Sequence, residues 1–541
     1  MVHESAVGGA APPGGAGERD GTPPLSEPPT AADEHRPSEA DTTGAADASG
    51  WRALVARLRA VERPTLAVVA AMVVFVVVFT PLVWLRHDRY ATFDFDLGIH
   101  DQSIWLLSRG LSFCTVRGLP VFGHHATFGY ALLVPFYWLG TGPQFLNALQ
   151  VVAVAVGAVP LYVLGRQRFG PAAAWSAAVL AGAWLLQWPL QFFVWETFHP
   201  EVVALPALMG AYVAAEREAY GWAAGLGLLA LSWKEDVALA VIGLGLVWLL
   251  RRRWRLGAVA VGVGAAWFLV FAVWMVPALA GGGTVYGPLY GELGDTPSEV
   301  VTTGLRHPDL VLERLGDNDA VGYARDLLAP MAFTPLLAPE LLLAGLPQAM
   351  VNLLSTASFT FDLRYHYAAL PLAAAALAMV EGTARLVRRW PQTRHGIVGL
   401  VGACALAATC AWGPSPIGRE YDSGYWPKRR SPQVDAYDAA VDLVDGDDGV
   451  SVDYVLVPHL THREVVYTFP NPWISKNYGI GGEVGDPALV DWLVVNRALA
   501  GARERQLLEE LLVGGEFVVR LDQAGIVAAE RVRAPGAAGA G

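Results

Sequence analysis

The sequence predicts an α-helical polytopic membrane protein of about eleven transmembrane helices, followed by a small extracytoplasmic α/β domain. Three observations carry that expectation. The 541 residues are 54% hydrophobic and only 16% charged, whereas soluble domains average about a quarter charged. Apolar stretches approaching the roughly 20 residues of a membrane span recur along most of the chain. Tryptophan occurs 19 times, as expected where indoles line both membrane interfaces. The net charge of −12 is unevenly spread, with basic clusters flanking the apolar stretches, and this argues against nucleic acid as a partner.

Taken in order, residues 1–50 hold nine Asp/Glu against two Arg amid Pro, Gly and Ala. Such a segment buries too little surface to offset its ordering entropy and is expected to be disordered. Its length before the first apolar stretch argues against a cleavable signal peptide. Trp51–Pro64 carries Arg52, Arg57, Arg59 and Arg63 and reads as a basic lead-in on the cytoplasmic membrane face. The transmembrane region is expected over 51–413, with outer loops at 87–142 and 279–321. Spans are expected near 65–86, 143–165, 171–191, 200–216, 220–233, 235–250, 255–278, 322–338, 340–355, 366–388 and 396–413.

Residues 126–140 decide the topology. They are apolar but too short to span and are broken by Pro135. Lying flat or re-entrant on the outer surface, they leave Arg52–Arg63, Arg166/Arg168, Arg251–Arg255 and Arg385–Arg389 all cytoplasmic, the positive-inside arrangement. The N-terminus is then inside. Hydropathy falls after residue 413, and VDYVLVPHL, REVVYTFP, VDWLVVNR and ERQLLEELL mix strand and helix patterns. Residues 414–530 are expected to form the outer α/β domain, and 531–541 a flexible tail. Cys114, Cys404 and Cys410 give neither a disulfide framework nor a zinc spacing.

With this topology the unusual polar groups share the outer face. The first loop brings Asp94, Asp96, His100, Asp101, Gln102, Arg117, His124 and His125; WETFHPE brings Glu196, His199 and Glu201; WKED brings Lys234, Glu235 and Asp236; DLRYHY brings Arg364, Tyr365 and His366. Ionisable groups at membrane depth are costly, and so they point to function. Each also has a plainer reading. Asp94 or Asp96 would N-cap the helix LGIHDQSIWLLS, Lys234–Asp236 would neutralise itself, Arg364 would snorkel to headgroups, and the histidines would serve loops and helix starts.

The ordered motifs FDLGIHDQSIW, GHHATFGYALLVPFYWL, FHPE, KED, TPLLAPELLLAGLPQAMVNLLS, YHYAALP and PHLTHREVVYTFP resemble the family of membrane proteins catalogued as domain of unknown function 2079. That family is similar to the GT-C superfamily of integral membrane glycosyltransferases, so the resemblance implies a GT-C-like fold. It also implies transfer of a sugar from a polyprenyl-phosphate donor to an extracytoplasmic glycan, lipid or protein acceptor. It places Asp96 as the catalytic acid of the first loop, with Asp94 second. Lys234 and Arg364 are the candidate cations for the phosphate. A divalent ion, magnesium or manganese, on Asp96 with His199 or Glu201 is left open. Two other readings stand beside this one: a transporter or lipid-handling protein, and a non-catalytic scaffold.

Overall fold

The computed structural model describes residues 61–283 and 287–532. The expectations for 1–50, most of the basic lead-in and nearly all of the C-terminal tail lie outside these. Among the described residues five helices are long and apolar enough to cross a membrane: Arg63–Asp88, Pro143–Phe169, Trp254–Leu279, His366–Arg389 and Pro391–Trp412. A sixth crossing is formed if Pro171–Leu185 and Trp188–Glu196, bent by 43° at their junction, count as one. Pro189 explains the bend, because it supplies no N–H to continue the ladder and favours a new helix start. Pro200–Glu216, Tyr220–Leu231 and Val237–Leu250 are shorter apolar helices.

Two expected spans are corrected. Residues 322–338 and 340–355 are not continuous helices but a chain of short turns: Ala320–Leu328, Ala329–Met331, Thr334–Leu337, Pro339–Leu342 and Leu346–Leu353. Pro330, Pro335, Pro339 and Pro347 interrupt the helical pattern, and Ala332 and Phe333 take left-handed φ of 51° and 55°. This broken segment packs on His366–Arg389, which is buried along most of its length. Lipid supplies no hydrophobic drive between helices, so close approach of small residues does the work. A methyl on Gly382 would meet the Thr334 carbonyl oxygen at 2.0 Å, and one on Gly345 would meet the Pro371 Cα at 2.6 Å. Residues 126–140 form a 3₁₀ turn, Phe128–Leu132, and a four-residue helix, Val134–Tyr137, neither of which has the length of a span.

The arginines expected on one side do meet. Arg168 pairs with Glu216 at 2.5 Å and Glu381 at 2.6 Å, Arg251 with Glu340 at 2.9 Å, and Arg253 with Glu216 at 3.0 Å, while Arg385 closes on Glu340. They join four helices, those carrying Arg168, Glu216, Glu340 and Glu381, to the turn Arg251–Arg253.

A two-stranded hairpin, β1 (Phe113–Cys114) and β2 (Leu119–Pro120), lies in the first loop. The C-terminal region builds a five-stranded sheet from β3 (Val450–Val452), β4 (Val466–Thr468), β5 (Trp492–Asn496), β6 (Phe517–Gln523) and β7 (Ile526–Arg531), in the order β4-β3-β5-β7-β6. β3 is parallel to β4 and β5, and β7 is antiparallel to β5 and β6. Alternation along the strands gives the sheet two buried faces. Val450, Val452, Trp492, Val494, Ile526 and Ala528 join the apolar core of the helices, whereas Leu493, Val495, Val527 and Ala529 pack on Leu508 and Leu511 of the helix Ala502–Val513. The sheet is thus continuous in packing with the helical part.

Gly382→Ala should lower the thermal stability of the purified protein in detergent by about 1–3 kcal/mol, the range for overpacking. Gly182→Ala, where nothing lies within 4 Å of the added methyl, should leave the melting temperature unchanged. Equal melting temperatures for the two variants would contradict the packing described.

Candidate functional site

The first loop opens with a π-type turn, Asp94–Gly98, that runs into the helix Ile99–Ser108. Neither Asp94 nor Asp96 caps a helix with its side chain, so the capping reading is not what the structure shows. Asp96 Oδ1 instead lies 3.3 Å from His199 Nε2. His199 is brought there by a break in the chain. Thr197, between Trp188–Glu196 and Pro200–Glu216, takes a φ of 89°, a conformation rare for a β-branched residue and of the kind that collects at functional sites. Gln150 holds this break: its Nε2 donates to the Phe193 carbonyl at 2.6 Å and to the Thr197 carbonyl, and its Oε1 accepts the His199 N–H at 2.5 Å.

From His199 the contacts run on. Its ring stacks on His366, with centroids 3.7 Å apart and planes 18° from parallel. Glu196 grips His366 twice, accepting its N–H on Oε2 at 2.6 Å and facing Nδ1 with Oε1 at 2.8 Å. Glu201 Oε1 lies 3.5 Å from His366 Nε2 and 2.5 Å from Lys234 Nζ, and Lys234 reaches Asp236 at 3.5 Å. Glu235 binds His125 Nδ1 at 2.7 Å and the Ala126 N–H at 2.9 Å. One chain of contacts therefore leads from Asp96 through His199, His366 and Glu201 to Lys234. His199, Glu201, Lys234 and His366 are buried, while the Asp96 side chain is 28% exposed.

Electrostatics follow from this packing. Burial alone would raise Asp96, but the positive charge and hydrogen bond of His199 more than offset it and hold the carboxyl well below the usual carboxylate range. Burial disfavours the charged form of His199, yet Glu196 and Asp96 outweigh it and push the imidazole up to about 9. Burial drives His100 and His124 down, towards the neutral form. Among the described residues Glu201 Oε2 has no hydrogen-bond partner although it is buried. The pocket around His199 favours a cation, whether a proton or a metal.

Metal-ligand geometry is present. Glu196, His199 and His366 offer ligand atoms within 4.8 Å of one another. Two imidazoles and a carboxylate suit zinc better than magnesium, which prefers oxygen donors and water. The set differs from the Asp96-centred one expected from the sequence.

Other expected site residues lie elsewhere. Asp101 is fully buried and accepts from Tyr137 Oη at 2.5 Å and from Thr461 Oγ1, with His462 Nε2 at 3.1 Å. Gln102 donates to Thr115 Oγ1 at 2.8 Å and to the Arg463 carbonyl at 3.1 Å, and accepts from the Val116 N–H at 3.0 Å. Both fasten the first loop to residues 461–464. Arg364 is half exposed and forked onto Asp362 at 2.6 Å, with Tyr425 Oη at 3.1 Å; Tyr365 beside it is partly exposed. His124 lies buried against His125 and Phe95. Asp94 turns to the sheet, accepting from Thr468 Oγ1 at 2.6 Å, and burial pushes it up to about 6.

Gln150 and Arg86 were not among the expected site residues, and Glu196 was expected on the outer face without a role of its own. The Arg86 guanidinium sits over the Trp195 ring at 4.4 Å and the Phe93 ring at 5.1 Å, within electrostatic reach of Glu196 and Asp96. Its Nη1 is buried with no hydrogen-bond partner among the described residues. A charged residue at the end of the first apolar stretch reads as an interfacial anchor, which hides it.

The family model described as "Predicted membrane protein (DUF2079)" matches residues 86–527. Among solved structures, apo ArnT from Cupriavidus metallidurans is similar at 14% identity with a TM-score of 0.50, over 85% of this chain and 97% of that one. The same protein bound to undecaprenyl phosphate gives a TM-score of 0.49 at 14% identity, over 85% and 98%. The apo oligosaccharyltransferase of Archaeoglobus fulgidus gives 0.34 at 12% identity, over 85% and 74%. These are GT-C glycosyltransferases, and at such identities the likeness to ArnT is one of fold. No curated protein matches this chain.

Proposed function

Since this chain belongs to the DUF2079 family of membrane proteins and has a GT-C-like fold, we propose that it is a membrane glycosyltransferase. It moves a sugar from a polyprenyl-phosphate donor to an acceptor outside the cytoplasm. The observation that carries this reading is the position of Asp96: a partly exposed carboxylate backed by His199, His366, Glu196 and Glu201 at the edge of the helical part.

In this reaction an acceptor hydroxyl oxygen attacks the anomeric carbon, its proton passes to an Asp96 oxygen, and the bond from that carbon to the lipid phosphate breaks with its electrons on the phosphate. Asp96 is ionised before the acceptor arrives and becomes a base as the attacking hydroxyl acidifies in the transition state. The departing phosphate needs a cation. Lys234 is already committed to Glu201, and Arg364 to Asp362; Arg86, with its unpartnered Nη1, is a third candidate. ArnT, which shares the fold, binds undecaprenyl phosphate. That is consistent with a polyprenyl-phosphate donor here. A divalent ion, if one is resident, would be held by Glu196, His199 and His366 and would supply electrophilic stabilisation of the phosphate.

Asp96→Asn should reduce sugar transfer from synthetic polyprenyl-phosphate hexoses and pentoses by about 10²–10⁴-fold while leaving expression and melting temperature intact. Transfer at the wild-type rate would remove Asp96 as the base. Elemental analysis of the purified chain should find about one zinc or manganese per molecule, lost in His366→Ala; equal metal content in both would exclude the site. For sidedness, in a background free of native cysteines, Gly446→Cys should be labelled by an impermeant maleimide in intact cells, and Gln392→Cys only after permeabilisation. The reverse pattern would invert the topology. Cys114 is no reporter, being buried.

A further inference from the structure

A second polar cavity lies apart from the His199 cluster, where the sheet meets the first loop. It has a volume of about 280 Å³ and is lined by Asp94 and Phe95 on one side and by Asp453, Tyr454, Thr468, Lys476 and Glu504 among others on the other. The strand order explains why a cavity forms here. β4, β3 and β5 run parallel, and Asp453, Phe469 and Leu499 follow their carboxyl ends. In open α/β sheets the crevice beyond those ends is where ligands bind. Glu504 stands in the first turn of Ala502–Val513, which opens on the same crevice.

The lining is built for hydroxyl groups. Asp453 is 6% exposed, and its Oδ2 accepts both Tyr437 Oη and the Asn496 N–H at 2.8 Å. Burial pushes Asp453 up to about 7, so near neutrality it both donates and accepts. Lys476, paired with Glu504 at 2.5 Å, and Asn477 add donors. Phe95, Tyr454 and Phe469 offer aromatic faces to apolar C–H groups. Three carboxyls against one ammonium disfavour phosphate and other anions. The volume falls at the lower edge of the roughly 300–1,000 Å³ of ligand clefts, which limits the occupant to about one ring.

We propose that this cavity is an outer acceptor subsite, holding one hydroxyl-rich sugar ring next to the ring whose hydroxyl reacts, between the sheet's carboxyl edge and the Asp94–Phe95 turn. The assignment rests on the glycosyltransferase reading for the ring's role as acceptor. Its position follows from the turn itself, because Asp94 and Phe95 line the cavity while Asp96, next in the chain, faces the His199 cluster. A ring held here is anchored to the element that carries the base.

The test is saturation-transfer NMR on the full chain in lipid nanodiscs, with the methyl glycosides of glucose, galactose, mannose and arabinofuranose as probes. At least one probe should receive saturation, and its Kd should rise at least tenfold in Tyr454→Ala and in Lys476→Ala, both partly exposed positions whose replacement leaves the buried core untouched. No saturation of any probe, or equal Kd in wild type and both variants, would overturn the assignment. So would a chelator-reversible thermal shift with calcium alone and no saccharide signal, which would mark the carboxyls as a cation site. Because the readout is binding, failure of the transfer reaction itself would appear in turnover and leave this result distinguishable.

Discussion

The arrangement at the candidate site depends on one carboxylate, Glu196. By accepting the His366 N–H and facing its Nδ1, it ties the irregular segment before His366–Arg389 to the end of Trp188–Glu196. The His366 ring then has one orientation, stacked on His199, and His199 has one neighbour left to face, Asp96. The left-handed Thr197 lets Glu196 and His199 turn inward from successive helices, and Gln150 on Pro143–Phe169 satisfies the carbonyls and the N–H that the break exposes. Three separate stretches of chain thus meet at Asp96, where directional contacts add to the packing of buried Leu97, Phe193 and Phe198.

Charge is sorted along the helices. One end gathers Arg168, Arg251, Arg253 and Arg385 around Glu216, Glu340 and Glu381; the site gathers Asp96, Glu196 and Glu201 around His199, His366 and Lys234. Isolated charges at such depth are costly, and pairs tolerate burial only with good geometry and further hydrogen bonds. The arginine end meets that condition with several bonds to each carboxylate. The site meets it incompletely, since Glu201 Oε2 and Arg86 Nη1 have no hydrogen-bond partner among the described residues.

Much of this was legible in the sequence for a simple reason: polar motifs stand out in an apolar chain. DFDLGIHDQ, WETFHPE, WKED and DLRYHY all lie at helix ends, and His199, Glu201, Lys234 and His366 do meet. What sequence does not reveal is which partner each group takes. Asp96 and Asp101 look alike in one motif, but Asp101 is claimed by Thr461 and His462 from some 360 residues away, and no local pattern announces that. Arg364 is turned aside by its neighbour Asp362. Hydropathy likewise overcounted spans at 322–355, because it sums apolarity without weighing four prolines that forbid a continuous ladder.

The two aspartates of the opening motif show how a short turn serves two places at once. In a helical turn, residues two apart point in roughly opposite directions, and the wider π-type turn keeps that relation. Asp94 therefore meets Thr468 at the sheet, while Asp96 meets His199 at the helices. Their different partners also set their charge: burial near a hydroxyl raises Asp94 to about 6, and His199 keeps Asp96 ionised. A single turn between the membrane helices and the sheet thus holds one carboxyl that exchanges protons readily and one that stays charged. Any rotation of the turn that favoured one partner would break the bond to the other, so the sheet's grip on Asp94 fixes where Asp96 stands.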